Sequence, residues 1–577
     1  MDKNSEAFQA RPKVETLLLL AIAAAVTLTH LLTNGRYGFH RDELQFLSDA
    51  RHLDWGFVAY PPLTPFVERI GLELFGLSMV GLRLFSVLAQ AAAIFVTGLM
   101  ARELGGGRLA QGTAALAIAL SPLPLFEGTE FQYTTFDYLW WVLIAYFTIR
   151  LMKTDNPRWW LAIGAAVGVG LLTKYSIIFF IAGILGGVAL SRARRFVLSG
   201  WFWAGIALAL LIFLPNFVWL VRHDFISYQF LQHIHARDVG EGRAEGFLQD
   251  QFLICVNLFA APLWLAGLIA FLRDHRYRML AWMYLIPLAL FFLGKGRGYY
   301  MAAAYPMLLA MGAVAGERWV AALPKPGRRT FEAVFFTGLA ACGAYIYALI
   351  LPLQSSGPLR DFALKRNGDL REEIGWPELV ATVAGIRDSL PPEQQASVGV
   401  IVGNYGEQGA IEMLGPAYHL PPPISLTNSA WLRGYPTPSP STLVVVGVSD
   451  EDVDRIFSGC RLAGHNGNSE GVKNEESQYH PDIFVCGGPR LPWPEFWKKY
   501  QSFGLDKSYS IEQHSYTVGR KRAGEVLGRA TAHGGLAILP RGKPIHQLRR
   551  QTVQVRALPE HEKARLLAGC AIPVVYT

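Results

Sequence analysis

From Val14 to Leu353 the chain repeatedly presents apolar stretches long enough to cross a hydrocarbon core about 30 Å thick. About eleven can be read, near 14–33, 80–100, 108–125, 134–152, 158–173, 175–191, 200–221, 251–272, 278–294, 299–315 and 331–352. Inside lipid every backbone N–H and C=O must be bonded within its own segment, so such stretches are expected to be helices. A chain of 577 residues that is 51% hydrophobic and 17% charged is too apolar for an ordinary soluble enzyme. The expected class is a polytopic α-helical membrane protein.

The basic residues set its orientation. They cluster at Arg102 and Arg108, at Arg150, Lys153 and Arg158, at Arg192, Arg194 and Arg195, at Arg273, Arg276 and Arg278, and from Arg318 to Arg329. With eleven spans all of these share a side with Lys3, Arg11 and Lys13, which predicts a cytoplasmic N-terminus. The net charge of +8 therefore reflects loop asymmetry, and no nucleic-acid partner is expected. The first apolar run has no small-residue cleavage site after it and reads as an uncleaved span.

The outward segments are then the loops 34–79 and 222–250 and everything after Leu353. Stretches 42–53 and 63–76 are amphipathic and suit the membrane surface. Beyond Leu353 the pattern changes: "ASVGVIVGNYGEQGAIEML" and "STLVVVGVSDEDVDRIF" each read as strand, turn and helix, and "DIFVCGG" as a last strand. The organisation expected is a transmembrane domain over 1–353, an extracytoplasmic α/β domain over 354–499, and a basic tail over 500–577 with no assigned fold. The five cysteines form no C-x-x-C motif. Cys460 and Cys486 fall in the outer domain, where a disulfide is possible, and Cys255 and Cys342 read as apolar filler.

Asp42 and Glu43 follow directly on the first span. Two readings stand: they cap the helix that begins there, or they work in a wet cleft. Lys174 interrupts two apolar helices; it snorkels to the headgroups or meets a lipid phosphate. Lys295 and Arg297 occupy a short outward turn, against the topological charge rule, and suggest a bound anion. His233 and His235 point to different sides of a helix, so one hydrogen-bonding histidine is a better expectation than a metal pair. "GNYGEQGA" follows a strand but lacks the spacing of a dinucleotide-binding turn.

Together these residues resemble glycosyltransferase family 39, bacterial enzymes of the GT-C fold included. The resemblance runs from about Thr33 to Pro306. It rests on the acid pair Asp42-Glu43, the Pro61-Pro62-Leu63 segment, "FDYLWW" around Asp137, "LLTKYS" at Lys174, "QHIHARD" at His233 and "GKGRGYY…YP" from Lys295. It implies an inner-membrane enzyme of the cell envelope that takes a polyprenyl-phosphate-linked sugar and transfers it to a lipid, glycan or protein acceptor among the membrane lipids. On this resemblance Asp42 and Glu43 are catalytic, Lys174, Lys295 and Arg297 bind the donor phosphate, and His233, Tyr60, Tyr299 and Asp137 contact substrate. Where aminoarabinose transferases of the family carry a glutamate before the first-loop proline, this chain has Ala59-Tyr60. A divalent metal is therefore not supported by the sequence, and no other cofactor is implied. The rivals are a transporter or flippase of lipid-linked sugars, and a non-catalytic scaffold.

Overall fold

A computed structural model describes residues 13–504. The remainder of the expected basic tail, after residue 504, lies outside the described residues. Each apolar stretch is helical. α1 (Thr16–Thr33) is followed by the first-loop helices α2 (Arg41–Arg51) and α3 (Leu63–Phe75), then by α4 (Met79–Glu103), α5 (Arg108–Ala119) and the short α6 (Pro122–Phe126). α7 (Tyr133–Thr154), α8 (Trp159–Leu171), α9 (Ile177–Ala189) and α10 (Gly200–Arg222) continue the bundle. The second loop supplies α11 (Ile226–Gly240) and α12 (Phe247–Leu253), and α13 (Ala261–Arg273), α14 (Arg278–Leu293), α15 (Tyr305–Ala321) and α16 (Lys325–Ile350) complete it.

By length and composition, five helices among the described residues can cross a membrane, or up to seven if two sharply bent pairs each count as one span. The eleven expected stretches are not matched one for one. α8 and α9 have 13 residues each, α5 stops at Leu120 before Ser121 opens α6, and α7 carries Asp137, Arg150 and Lys153 within its length. The exposed flanks are apolar: α1 leaves Leu17, Leu20, Leu28 and Leu32 uncovered, and α10 leaves Leu210, Leu211, Leu214 and Phe217. Side chains of this kind find their cover in lipid tails. Inside the bundle, small residues bring helices together. A Cβ on Gly164 of α8 would strike the carbonyl of Gly205 on α10, and one on Gly312 of α15 would strike that of Leu263 on α13.

The two ends of the bundle differ in charge. At one end Lys153 pairs with Glu103 at 3.0 Å, Arg195 pairs with Asp155, Arg276 donates to the carbonyls of Met152 and Lys153, and Gln111 donates to the carbonyl of Lys13. The separate basic loops and the start of α1 thus gather together. At the other end α2, α3, α11 and the α/β unit meet.

The α/β unit holds a five-stranded sheet in the order β2-β1-β3-β5-β4. β1 (Val398–Val402) pairs in parallel with β2 (Pro423–Ser425) and β3 (Thr442–Val446). β5 (Asp482–Cys486) runs antiparallel to β3 and to β4 (Arg461–His465). The expected strand–turn–helix units are both present, the first with the helix Tyr405–Leu414. Cys460 and Cys486 form a disulfide across the β4–β5 edge. The apolar core of the sheet includes Leu44 and Leu47 of α2 and Leu82 of α4, so the first loop is built into this unit. The glycines of "GNYGEQGA" explain the closeness. A Cβ on Gly409 would strike the carbonyl of Leu44, and one on Gly406 would come within 2.8 Å of the Arg41 Cβ. That stretch is a packing face against α2.

Candidate active site

α2 begins with a capping box. The His40 side chain accepts from the Asp42 N–H, and Glu43 Oε2 accepts from the His40 N–H at 2.8 Å. The capping role expected of the acid pair therefore falls to His40 and Glu43, and the Asp42 carboxylate takes no part in it. Glu43 is 1% exposed. Its Oε1 accepts from Arg83 Nε at 2.9 Å and from the Phe131 N–H at 2.8 Å, and its Oε2 accepts from Arg83 Nη2 at 2.6 Å. Arg83 also donates to the carbonyls of Asn34 and Gly38. Both carboxylate oxygens of Glu43 are thus engaged in a buried hydrogen-bond network.

Asp42 turns the other way. Its Oδ2 accepts from Gln132 Nε2 at 2.9 Å and its Oδ1 from the Tyr405 hydroxyl at 2.9 Å, with Arg41 Nε 3.9 Å from Oδ1. Its side chain remains 18% exposed. Burial pushes the carboxyl up, but His40, Arg41 and the two hydrogen bonds outweigh it and hold Asp42 below its ordinary range. Burial pushes His40 itself down to about 4. The imidazole is then uncharged at neutral pH, where Arg41, Gln132 and Tyr405 are the groups that favour the Asp42 carboxylate.

Lys174 sits at the break between α8 and α9. Trp140 Nε1 donates to Thr173 Oγ1 at 2.9 Å, and the Leu63 N–H donates to the Leu172 carbonyl at 2.9 Å, which pins the break to α7 and to the first loop. The ammonium stands 5.0 Å from the Tyr133 ring centre, 5.9 Å from Tyr299 and 4.7 Å from Tyr300. It makes no ion pair among the described residues. Tyr133 is also within electrostatic reach of Asp42, Arg297, Tyr300 and Tyr405. Tyr133 therefore lies within reach of both Asp42 and Lys174, and the space around its ring is the candidate crevice.

The other expected residues divide. Arg297 faces inward, its Nε and Nη2 each 2.7 Å from the Asp238 carboxylate. Arg237 and Arg243 lie 3.4 and 3.6 Å from Asp238 as well, and Arg243 also pairs with Glu241 at 2.8 Å. Three guanidinium groups thus face two carboxylates. Lys295 is exposed in a left-handed turn after α14, and no ion pair or ring contact among the described residues draws it inward with Arg297. His233 packs on Phe503 at 5.8 Å. Tyr299 lines the Lys174 site. Asp137 accepts from Trp141 Nε1 at 3.1 Å and lies within electrostatic reach of Lys174. Tyr60 is 3% exposed and donates its hydroxyl to Asp49 at 2.6 Å within an aromatic cluster. Tyr60, expected to contact substrate, has its hydroxyl engaged by Asp49 in this position.

Sequence reasoning missed Gln132, Tyr133, Tyr405, and Arg237 with Asp238. The last two stand inside "QHIHARD", where the histidines drew attention away from the arginine. Among the described residues no group of three or more His, Cys, Asp or Glu side chains is arranged to hold a metal ion.

The chain is similar to known proteins in sequence and in fold. A family model described as dolichyl-phosphate-mannose-protein mannosyltransferase matches residues 59–219. The fold is that of ArnT from Cupriavidus metallidurans bound to undecaprenyl phosphate, with a TM-score of 0.51 at 16% identity, covering 82% of this chain and 97% of that one. The chain has the GT-C fold. The lipid A galacturonosyltransferase RgtD of Rhizobium johnstonii is 28% identical to this GT-C chain over 275 residues, 46% of this chain and 57% of the relative. An undecaprenyl phosphate-alpha-4-amino-4-deoxy-L-arabinose arabinosyl transferase of Pseudomonas fluorescens is 27% identical over 264 residues, 42% of this chain and 46% of the relative. The GT-C chain thus spans about half the length of each of these relatives.

Proposed function

We propose that this chain is a membrane glycosyltransferase that moves a sugar from a polyprenyl-phosphate donor to an acceptor hydroxyl at the outer face of the inner membrane, with inversion. The feature that carries the reading is a carboxylate at Asp42, held below its ordinary range, and an ammonium at Lys174, both within reach of Tyr133. Arg237, Arg243 and Arg297 share that end of the bundle. The relatives are named for lipid A and for an undecaprenyl-phosphate-linked aminoarabinose, which favours a lipid-borne sugar on both sides of the reaction. The transporter alternative wants ionisable groups near the bilayer midplane, whereas these lie at helix ends and in loops.

The chemistry follows from the charges. The acceptor O–H binds to Asp42 and its oxygen attacks the anomeric carbon. The bond from that carbon to the phosphate oxygen breaks, and its electron pair leaves with the polyprenyl phosphate. Lys174 and the guanidinium groups around Asp238 stabilise the departing charge. A carboxylate held below its ordinary pKa is a weak base, so the proton passes to Asp42 late, once the attacking oxygen has become acidic. Glu43 and Arg83 position the start of α2.

On this reading the chain passes the membrane about eleven times, with the N-terminus cytoplasmic and residues 354–499 forming an extracytoplasmic domain. The gathering of the basic loops at one end and the Cys460–Cys486 disulfide near the other support it. The test is Asp42→Asn, with transfer measured in membranes supplied with labelled polyprenyl-phosphate sugar. The expected result is a fall of roughly 10²–10⁴-fold with folding intact; wild-type transfer would overturn the mechanism.

A further inference from the structure

The α/β unit carries a second charged recess, apart from the crevice at Asp42. A cavity of about 530 Å³ is lined by Arg360, Lys365, Arg371 and Lys473, against Asp361 and Glu470. Arg360 and Glu470 pair with each other, and Arg371 donates Nη1 to the carbonyl of Leu364 at 2.8 Å. Arg360 Nε is buried without a hydrogen-bond partner. Lys365 and Lys473 are exposed at the rim and enter no ion pair among the described residues. The balance of charge is positive, with donors enough for a phosphate.

The position of the cavity narrows the ligand. Its helix, Pro358–Arg366, follows seven residues after α16, and Phe362 packs on Tyr345 of that helix at 5.8 Å. Arg360 lies over the ring of Tyr37, four residues beyond α1, and the Tyr37 hydroxyl donates to the carbonyl of Gln354 at 3.1 Å. The recess therefore opens beside the ends of two membrane helices. Its lining segments also lead to the crevice. Arg371 adjoins Glu372, and Lys473 lies two residues from Glu475. Glu475 donates its N–H to Glu372 and pairs with Arg41, the neighbour of Asp42.

We propose that this cavity is a subsite for a phosphate monoester borne on the sugar headgroup of the acceptor lipid, which it anchors while the acceptor hydroxyl reaches Asp42. The inference rests on the reading of the chain as a glycosyltransferase with a lipid acceptor. Phosphate held by arginine and lysine in a recess is bound through charge-assisted hydrogen bonds, so the affinity weakens with salt.

The test reads binding without turnover. The full chain in nanodiscs is titrated with a diphosphorylated, acylated glucosamine disaccharide and with its dephosphorylated form. Wild type is expected to bind the phosphorylated lipid at least about tenfold more tightly, as expected for charge-assisted contacts. Lys365→Ala with Lys473→Ala removes that preference, Glu470→Gln strengthens it, and Asp42→Asn leaves it in place. Equal binding of the two lipids by wild type, or an unchanged preference in the double variant, overturns the subsite. Inorganic phosphate binding as tightly as the lipid overturns its assignment to a lipid-borne group. Absence of sugar transfer by wild type, with the preference intact, counts against the transferase reading alone.

Discussion

Asp42 and Glu43 are neighbours of the same chemistry with opposite fates. Successive residues on a helix point about 100° apart, so one carboxylate enters the Arg83 network while the other faces the crevice. Tyr405 completes the Asp42 site, and its hydroxyl is one of the groups that hold the Asp42 pKa down. Tyr405→Phe removes that donor and raises the pKa. The carboxylate is then lost at a higher pH, so the acid limb of the kcat/KM profile should move upward. A limb that stays in place or moves down would refute the contact. Lys174 has a different signature. On the proposed role, Lys174→Ala removes about 1.5–3 kcal/mol from a charged contact with the donor phosphate, or roughly 10- to 150-fold in affinity. The donor KM should rise by that factor while the acceptor KM holds, as steady-state kinetics with each substrate varied will reveal. Both Asp42 and Lys174 could be picked out of the sequence as candidates, because a charge at the end of an apolar stretch is costly and asks for a reason. Tyr405 was not, since it lies 363 residues from the side chain it serves.

Among the elements, α2 is the joint of the molecule. Leu44 and Leu47 belong to the sheet's core, and the capping box at its start is locked by Arg83 from α4. The Tyr405–Leu414 helix rests on it through Gly409. Gly409→Val would drive a side chain into the Leu44 carbonyl and should cost about 1–3 kcal/mol. Transfer activity should fall with it as Tyr405 leaves Asp42. Gly385, in the helix Trp376–Asp388, has open space around its Cβ direction, so Gly385→Ala should be neutral or stabilising by about 0.4–1 kcal/mol. Thermal unfolding and activity of the pair separate packing at α2 from any general effect of losing a glycine. Periodicity and turn residues had already located both strand–helix units. They could not reveal that the first of these helices docks on the first loop, because glycine spacing alone does not identify what approaches.

At the scale of the whole molecule the decisive feature is polarity along the bundle axis. Basic loops from five parts of the chain meet at one end, and the acid, the ammonium and the sheet meet at the other. Cysteine labelling tests the topology drawn from this. A cysteine placed at Arg329 should react with an impermeant maleimide only after permeabilisation, and one at Ser356 should react in intact cells. The reverse pattern would place Asp42 in the cytosol and remove the outer-leaflet donor.

Apolar stretches, the alternation of basic loops and the strand–turn–helix patterns were sufficient to determine a helical membrane chain with an α/β unit after it. These are local properties: hydrophobic length, charge and period act within a few turns of backbone. The tertiary structure alone decided which carboxylate faces the crevice, which arginine joins Asp238, and how many helices run unbroken. Those outcomes depend on which distant surfaces close over each buried charge, since a charge removed from water takes its role from the partners that pay for its desolvation.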